Sequence, residues 1–117
     1  MKQKNIVILE GRVGEGLKYA RAANGNDYCT FMLEIDSYYK EVADQTERDH
    51  SYTLVRLFIY DKHQVEYCKR IGLHQGNIVS ILARLNSKGV EINGKMIVQN
   101  NVIVRDISVV KTQPDNN

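Results

Sequence analysis

The sequence predicts an all-β domain, a five-stranded Greek-key barrel with one short helix between the third and fourth strands. Three observations carry this prediction. Short segments of alternating apolar and polar residues recur along the chain, and Gly, Asn and Asp separate them. One segment, from Asp61 to Ile71, changes from a period of two to a helical spacing. The pair Asn93-Gly94 lies between two β-prone arms and suits the type I′ turn of a hairpin.

The first two strands are predicted at residues 6–13 and 28–35, on either side of a loop with strong turn chemistry. Apolar residues alternate with polar ones in both segments, which gives each strand one face for a core. Gly11 lies on the apolar face of the first strand and would mark a kink or bulge. The polar residues 37–50 that follow the second strand are predicted to form a loop.

The third strand, SYTLVRLFIYDK at residues 51–62, has two different faces. One face carries Val55, Leu57 and Ile59, which are ordinary core residues. The other face would expose an unusual set for a single strand of a small protein, namely Tyr52, Leu54, Arg56, Phe58 and Tyr60.

A helix is predicted over residues 61–71, because Asp61 can cap its first turn and Gly72 can close its end. The order of elements is that of an OB-fold, a partly open Greek-key barrel. Known OB-folds bind oligonucleotides or oligosaccharides on one strand face and with the loops after strands one and four. The third strand would lie at the centre of that face.

The fourth and fifth strands are predicted at residues 77–85 and 102–110, with the Asn93-Gly94 hairpin between them. The register of the last strand is ambiguous near residues 99–101, and the sequence there would permit a bulge. Residues 1–110 would form one OB-fold domain, followed by a short polar C-terminal tail at 111–117.

Composition excludes several classes of protein. The chain has 117 residues with 43% hydrophobic residues, enough for one core. Its net charge of +2 permits a nucleic-acid partner without requiring one. Cys29 and Cys68 are too few for a disulfide scaffold and are predicted to be buried free thiols. No apolar run is long enough to cross a membrane and no signal peptide is present, so we expect a cytoplasmic protein.

The sequence carries no pattern typical of an enzyme. The three histidines are scattered, and no Cys or His spacing fits a zinc site. The segment GRVGEG, which begins at Gly11, lacks the Lys-Ser/Thr of a phosphate-binding loop and has no helix after it. No nucleophile lies in a recognisable arrangement with a base. We therefore predict a protein that binds rather than catalyses, with no metal and no cofactor.

Flat rings on a rigid strand suit stacking on unpaired bases, which contributes about 1–3 kcal/mol per base in any sequence. Exposed rings also mark subunit interfaces, but an arginine within the row favours a phosphate chain over a dry contact. We assign Ile6 and Ile8, which are apolar on the outward side of the first strand, to a subunit interface. The predicted phosphate contacts are Arg12, Arg56, Arg84, Lys88 and Lys95, and the predicted base contacts are Tyr52, Phe58, Tyr60 and one of Tyr38 and Tyr39. Leu54, on the same face, belongs to the predicted nucleic-acid-binding surface.

From about residue 5 to residue 110, the sequence resembles the bacterial single-stranded-DNA-binding protein family, including its primosomal branch, PriB. The segments that carry the resemblance are NIVILEGRVGEGLKYARAANGNDYCTFMLEID, LVRLFIYDK and GNIVSILARL, in that order and spacing. Two stretches, YCTFMLE in the first of these segments and INGKMIV in the predicted hairpin, are closer to the primosomal branch.

The resemblance implies a protein that wraps single-stranded DNA in replication, recombination or repair as a homodimer or homotetramer. Arg56 and Tyr60 match a basic and an aromatic position of the family. Leu54 and Val90 stand where many members have a stacking tryptophan, and this chain contains no tryptophan. The end KTQPDNN also lacks the acidic tail by which family members recruit repair enzymes. Two alternatives remain, a PriB-like primosomal accessory with replication proteins as partners, and a protein-interaction module that binds no nucleic acid.

Overall fold

The computed structural model of the protein describes residues 3–39 and 49–111. Within these residues it contains six strands and one helix. The strands form one sheet in the order β1-β5-β6-β4-β3-β2, and a further pairing of β1 with β3 closes this sheet into a barrel. The predicted OB-fold is confirmed. The elements are β1 (Val7–Val13), β2 (Lys18–Arg21), β3 (Asp27–Tyr39), β4 (Asp49–Ile59), α1 (Lys62–Ile71), β5 (Ile78–Ile92) and β6 (Lys95–Lys111).

The short strand β2 was not expected from the sequence, which predicts a loop there. It pairs antiparallel with the beginning of β3, where Lys18 lies opposite Thr30 and Ala20 opposite Tyr28. Four residues are too few to show a clear alternation, so β2 is fixed by its pairing partner rather than by its own pattern. A hydrogen-bonded turn at residues 22–26 joins the two strands.

The strands on either side of the predicted loop at 37–50 extend into it. β3 continues to Tyr39, and β4 begins at Asp49, so that these two residues pair across the hairpin. Residues 40–48 lie outside the described part of the chain.

The hairpin turn at Asn93-Gly94 is confirmed, since both residues have the positive φ of a type I′ turn. β5 and β6 run without interruption into this hairpin and form a long two-stranded ribbon, which we call the arm (residues 86–101). The bulge that the sequence would permit at 99–101 does not form, because the pairing there is regular. The register shifts lie instead at Ile78/Val79 and Leu82/Ala83 of β5.

The core fills the barrel from the inward faces of the strands and from one side of α1. Phe31 and Leu33 of β3 and Leu57 of β4 are fully buried. Cys29 and Cys68 are buried free thiols, as predicted. The hydrogen bond between Cys29 and Cys68, together with burial, raises the pKa of the Cys29 thiol.

Gly11 lies where β1 passes between β5 and β3 and closes the barrel. A Cβ atom at this position would lie 2.5 Å from the backbone oxygen of Glu34. The predicted kink residue is therefore a point of close backbone approach, which only glycine permits without a shift of the strands.

The helix α1 closes one end of the barrel. Asp61 accepts hydrogen bonds from the backbone of His63 and Gln64, and Gly72 ends the helix in the left-handed conformation, as predicted. The side-chain oxygen of Gln64 accepts from the backbone N–H of Ile107 at 2.9 Å. Tyr67 similarly accepts from a second β6 backbone N–H, so the helix covers backbone donors of this strand.

Candidate nucleic-acid interface

The alternation predicted for β4 is confirmed. Leu57 and Ile59 are fully buried, whereas Tyr52, Leu54 and Tyr60 are 55%, 57% and 46% exposed. We call this solvent-facing side the outer face of β4. It carries four residues of the strand and the residue that follows it, namely Tyr52, Leu54, Arg56, Phe58 and Tyr60.

Three rings lie together at one end of the outer face, and we call them the aromatic cluster (Tyr28, Phe58 and Tyr60). The rings of Phe58 and Tyr60 are nearly parallel, with 6.1 Å between their centroids and 5° between their planes. The ring of Tyr28, from β3, lies 5.3 Å from that of Tyr60 at a tilt of 35°. Partial burial, and to a smaller extent Tyr28, raises the pKa of Tyr60. The Tyr60 phenol therefore stays neutral at physiological pH.

A row of paired residues crosses the sheet through Phe58. Thr30 of β3 and Ile103 of β6 lie opposite Phe58 on its two sides. Lys18 pairs with Thr30 on β2, and Arg84 pairs with Ile103 on β5. Because paired residues of neighbouring strands share a face, both cations lie on the same side of the sheet as the aromatic cluster.

Arg56 lies between Leu54 and Phe58 on the outer face and leans toward β3. Its Nη1 donates to the Thr30 hydroxyl oxygen at 3.4 Å. The same hydroxyl donates to the backbone oxygen of Leu57 at 2.7 Å, so Thr30 is buried with its hydrogen bonds satisfied. The guanidinium of Arg56 is held in place over β3 while the residue remains exposed to solvent.

A groove opens beside Arg56 and Phe58, where β4 and β6 separate. These two strands pair in parallel only at Leu57–Val102 and Phe58–Ile103. On the side of the hairpin arm they diverge and leave a groove of about 610 Å³. Its walls come from both strands, and the lining residues are Leu54, Val55, Arg56, Phe58, Gln99, Asn100, Asn101 and Val102.

The chain was compared with protein-family models, and the model of the single-strand binding protein family matches residues 4–110. The chain belongs to the single-strand binding protein family.

Solved structures with the same fold include several single-strand binding proteins. The Plasmodium falciparum SSB in complex with ssDNA superposes with a TM-score of 0.77 at 20% identity, over 95% of this chain and 98% of that chain. The mitochondrial single-stranded DNA binding protein Rim1 of S. cerevisiae gives 0.69 at 15% identity, over 97% and 100%. A small single-stranded DNA-binding protein of Streptomyces coelicolor gives 0.61 at 16%, over 89% and 92%. No curated protein matched the sequence.

The hairpin arm of this single-strand binding family member carries two of the predicted cations. Lys88 alternates with Asn86 and Arg84 along β5, so these three side chains share the side of the sheet on which Phe58 lies. Ile92 lies on the same side of β5 as Lys88, four positions further along the strand. Lys95 pairs with Ile92 and therefore shares that side. All four polar or charged side chains are exposed.

Arg12 lies near the other end of the outer face and has a carboxylate beside it. It pairs with Glu34 of β3, and their side chains form an ion pair at 3.8 Å. Glu34 in turn lies opposite Leu54. A shallow pocket of about 250 Å³ lies among Arg12, Glu34, Tyr52 and Leu54. The structure thus brings Arg12 to the predicted face, but in a less cationic setting than Arg56.

Two predicted contacts lie where the structure gives no side-chain description. Tyr38 and Tyr39 belong to the end of β3, paired with His50 and Asp49. Their side chains lie outside the described part of the protein, and the choice between them stays a prediction.

The residues predicted to form a subunit interface lie on another part of the barrel. Ile6 and Ile8 are 57% and 74% exposed at and just before the start of β1. Ile8 pairs with Leu82 of β5, which is also exposed, and the three side chains form an apolar patch on the β1–β5 surface.

Sequence reasoning missed four residues of this interface, namely Lys18, Tyr28, Gln99 and Asn101. Tyr28 follows the alternation of its strand and was visible as an outward residue, but its contact with Tyr60 depends on the register between two strands. Gln99 and Asn101 reach the groove through the parallel pairing of β4 and β6, which no local pattern reveals.

In residues 3–39 and 49–111, no group of three His, Cys, Asp or Glu side chains is placed to hold a metal ion. The one helix in the same part of the chain is too short and too polar to span a membrane.

Proposed function

We propose that this protein binds single-stranded DNA with little sequence preference, on the outer face of β4 and in the groove beside it. The observation that carries the proposal is the solvent-facing, parallel pair Phe58 and Tyr60 next to Arg56, at the edge of a groove of about 610 Å³. Its membership in the single-strand binding protein family supports the same conclusion.

The aromatic cluster supplies the contact to the bases. An unpaired base exposes both of its flat faces, and each stacked base contributes about 1–3 kcal/mol whatever its identity. Two parallel rings on neighbouring outward positions of β4 offer platforms of the same orientation. Bases of a duplex are already stacked on each other, so this surface favours single strands.

The cations of the outer face supply the contact to the phosphates. Lys18 and Arg84 stand at the two ends of the cross-sheet row, which curves around the outside of the barrel over four strand spacings of about 4.8 Å each. Arg56 lies next to this row, and Lys88 and Lys95 continue the cationic side onto the arm. Arg12, which has Glu34 as a partner, is proposed as a weaker contact.

We also propose that the protein assembles as a homodimer or homotetramer through the patch of Ile6, Ile8 and Leu82. Apolar side chains exposed together on a strand surface typify subunit contacts. A change of Ile8→Lys should reduce the assembly measured by light scattering after size-exclusion chromatography, whereas the exposed-site change Gln75→Lys should leave it intact. An unchanged mass for the Ile8 variant would remove this patch from the interface.

The biological setting that we propose is DNA replication, recombination or repair in the cytoplasm, with binding and no catalysis. Residues 1–110 would act as the OB-fold domain and 111–117 as a polar tail. Replication or primosome proteins are proposed as further partners, in line with the sequence segments that are closer to the primosomal branch.

Fluorescence anisotropy of a labelled dT oligomer, titrated at several salt concentrations with and without a duplex competitor, tests the proposed function. We expect binding that weakens steeply as salt rises, because several phosphates release counterions. A duplex of the same length should compete poorly. A protein that binds no oligomer even at low salt would be a protein-interaction module, and the proposal would be wrong.

A further inference from the structure

The β6 wall of the groove, which faces Arg56 and Phe58, carries side-chain amides next to Val102. Gln99 and Asn101 come from alternate positions of β6, on the same face of the strand as Ile103. Asn101 pairs with Asn86 across the arm, which adds a third carboxamide to this side. One wall of the groove is therefore cationic and aromatic, and the other is polar and uncharged.

The two groove amides differ from their neighbour in their hydrogen bonding. Among residues 3–39 and 49–111, neither the Gln99 nor the Asn101 side chain makes a hydrogen bond. The intervening Asn100 also borders the groove, but it alternates to the other side of β6 and its Oδ1 accepts from the Ser87 hydroxyl at 2.8 Å. Gln99 and Asn101 are thus available to bind a ligand, while Asn100 has a role within the arm.

A carboxamide suits the edge of an unpaired base. It carries two N–H donors and a carbonyl acceptor, which complement the mixed donors and acceptors along a base edge. A base that rests on the aromatic and apolar wall of Leu54 and Phe58 is held between that wall and the β6 amides. Its edge, unlike the edges in a duplex, has no pairing partner.

We propose that Gln99 and Asn101 hydrogen-bond the edges of unpaired bases held in the groove. This inference rests on the proposed function and assigns the base contacts of that site. Rotation of an amide by 180° exchanges its donor and acceptor, so one side chain serves different bases. The contact therefore adds selectivity for single strands over duplex without requiring a particular sequence.

The test uses the double variant Gln99→Leu/Asn101→Leu, with Gln75→Leu as a matched control at an exposed amide in the turn between α1 and β5. The probes are a labelled dT oligomer and a strand of equal length made of abasic tetrahydrofuran units. Anisotropy titrations over a range of salt concentrations give the affinity and the salt slope for each combination of protein variant and probe. Gln99→Leu alone, at an exposed position, serves as a second variant in case the double change disturbs the arm.

We expect the double variant to bind the dT oligomer about tenfold more weakly than the wild type, since it removes one or two hydrogen bonds to the bases. Gln99→Leu alone should weaken binding of the dT oligomer by a smaller factor. The salt slope should not change, because no charge is removed, and the abasic strand should bind both proteins equally. Gln75→Leu should behave as the wild type.

Unchanged binding of the dT oligomer by the double variant would overturn the base-edge contact. An equal weakening on the abasic strand would do so too, because the amides would then contact the backbone. Either result leaves the proposed function standing, as long as the wild type binds the dT oligomer. A wild type that binds no single strand would overturn the proposed function and this inference together.

Discussion

The rings of Phe58 and Tyr60 lie parallel on one side of β4, with 5° between their planes. Phe58 lies in β4 and Tyr60 directly follows its last residue, so alternation places both side chains on the same side. Tyr28 packs against Tyr60 from the neighbouring strand and supports this arrangement. A rigid pair of this kind meets successive bases without first having to be ordered, which lowers the entropy cost of binding.

Replacement of either ring by alanine is therefore expected to weaken binding of single-stranded DNA by about 1–3 kcal/mol. Phe58→Ala and Tyr60→Ala are the changes, and anisotropy titration with a dT oligomer is the measurement. Tyr60→Phe keeps the ring and is the control, which should bind nearly as the wild type does. A loss of the folded state in Tyr60→Ala, seen by thermal denaturation, would show that the ring belongs to the core instead.

Arg56 is expected to neutralise one phosphate of the bound strand. For single strands, the slope of log affinity against log salt falls in magnitude by about 0.7 for each phosphate that is no longer neutralised. Arg56→Ala should thus bind more weakly and with a flatter slope, while Arg56→Lys should keep most of the slope. Arg70→Ala on α1 removes the same charge away from the outer face and should leave both quantities unchanged. A slope that is the same in Arg56→Ala and wild type would exclude the phosphate contact.

Substitution by alanine is expected to destabilise the fold more at Gly11 than at Gly89. A Cβ at Gly11 would meet the Glu34 backbone oxygen at 2.5 Å, whereas a Cβ at Gly89 would meet the flexible Met96 side chain at 2.9 Å. Overpacking against backbone typically costs about 1–3 kcal/mol, so Gly11→Ala should lower the free energy of unfolding by that amount. Gly89→Ala should change it much less. Equal urea midpoints for the two variants would contradict the close approach in the barrel.

Thr30→Val is expected to destabilise the barrel by about 1–2 kcal/mol, because it removes a buried hydrogen bond to the Leu57 backbone oxygen. Urea denaturation followed by circular dichroism measures the change. Thr53→Val, at an exposed position of β4, is the matched control and should be close to neutral. If both variants unfold at the wild-type urea concentration, the Thr30 hydroxyl contributes nothing to stability.

Asp27 gives a prediction about pH. A hydrogen bond from Lys69 at 2.9 Å lowers the pKa of this carboxylate, with the Lys69 charge acting in the same direction. Because the folded pKa is depressed, the stabilisation is present above the unfolded value of about 3.9 and is lost as pH falls through the folded value. Wild type should be more stable than Asp27→Asn at neutral pH, and the difference should shrink below about pH 4. A difference in unfolding free energy that stays constant over this range would contradict the assignment.

Local patterns in the sequence were sufficient for most of the fold. The strict alternation from Tyr52 to Tyr60 determined both faces of β4, because a one-residue error in phase would have exposed Leu57 and Ile59. Asp61 and Gly72 marked the ends of α1 through their side-chain and backbone chemistry. These features depend on neighbours in the sequence, so the sequence alone was enough to predict them.

The interactions that the sequence did not reveal depend on partners far along the chain. β2 forms a strand only because β3 offers an edge to it. Leu85 alternates with the buried Ala83 and would by pattern face the core, but it is exposed, because it lies where β5 leaves the barrel just before the arm. In the sequence, Gln99 and Asn101 belong to a stretch of ambiguous register. In the structure, the parallel pairing of β4 and β6 places them across the groove from Arg56. Such contacts require the three-dimensional register, which no single segment contains.

The parallel junction between β4 and β6 involves only two residue pairs, Leu57–Val102 and Phe58–Ile103. Beyond these two pairs, no backbone pairing of the described residues joins the two walls of the groove. The width of the groove is therefore set by the side chains that line it rather than by a hydrogen-bonded ladder. Purines and pyrimidines differ in size, and side-chain adjustment alone would let one site accept both without repacking the barrel.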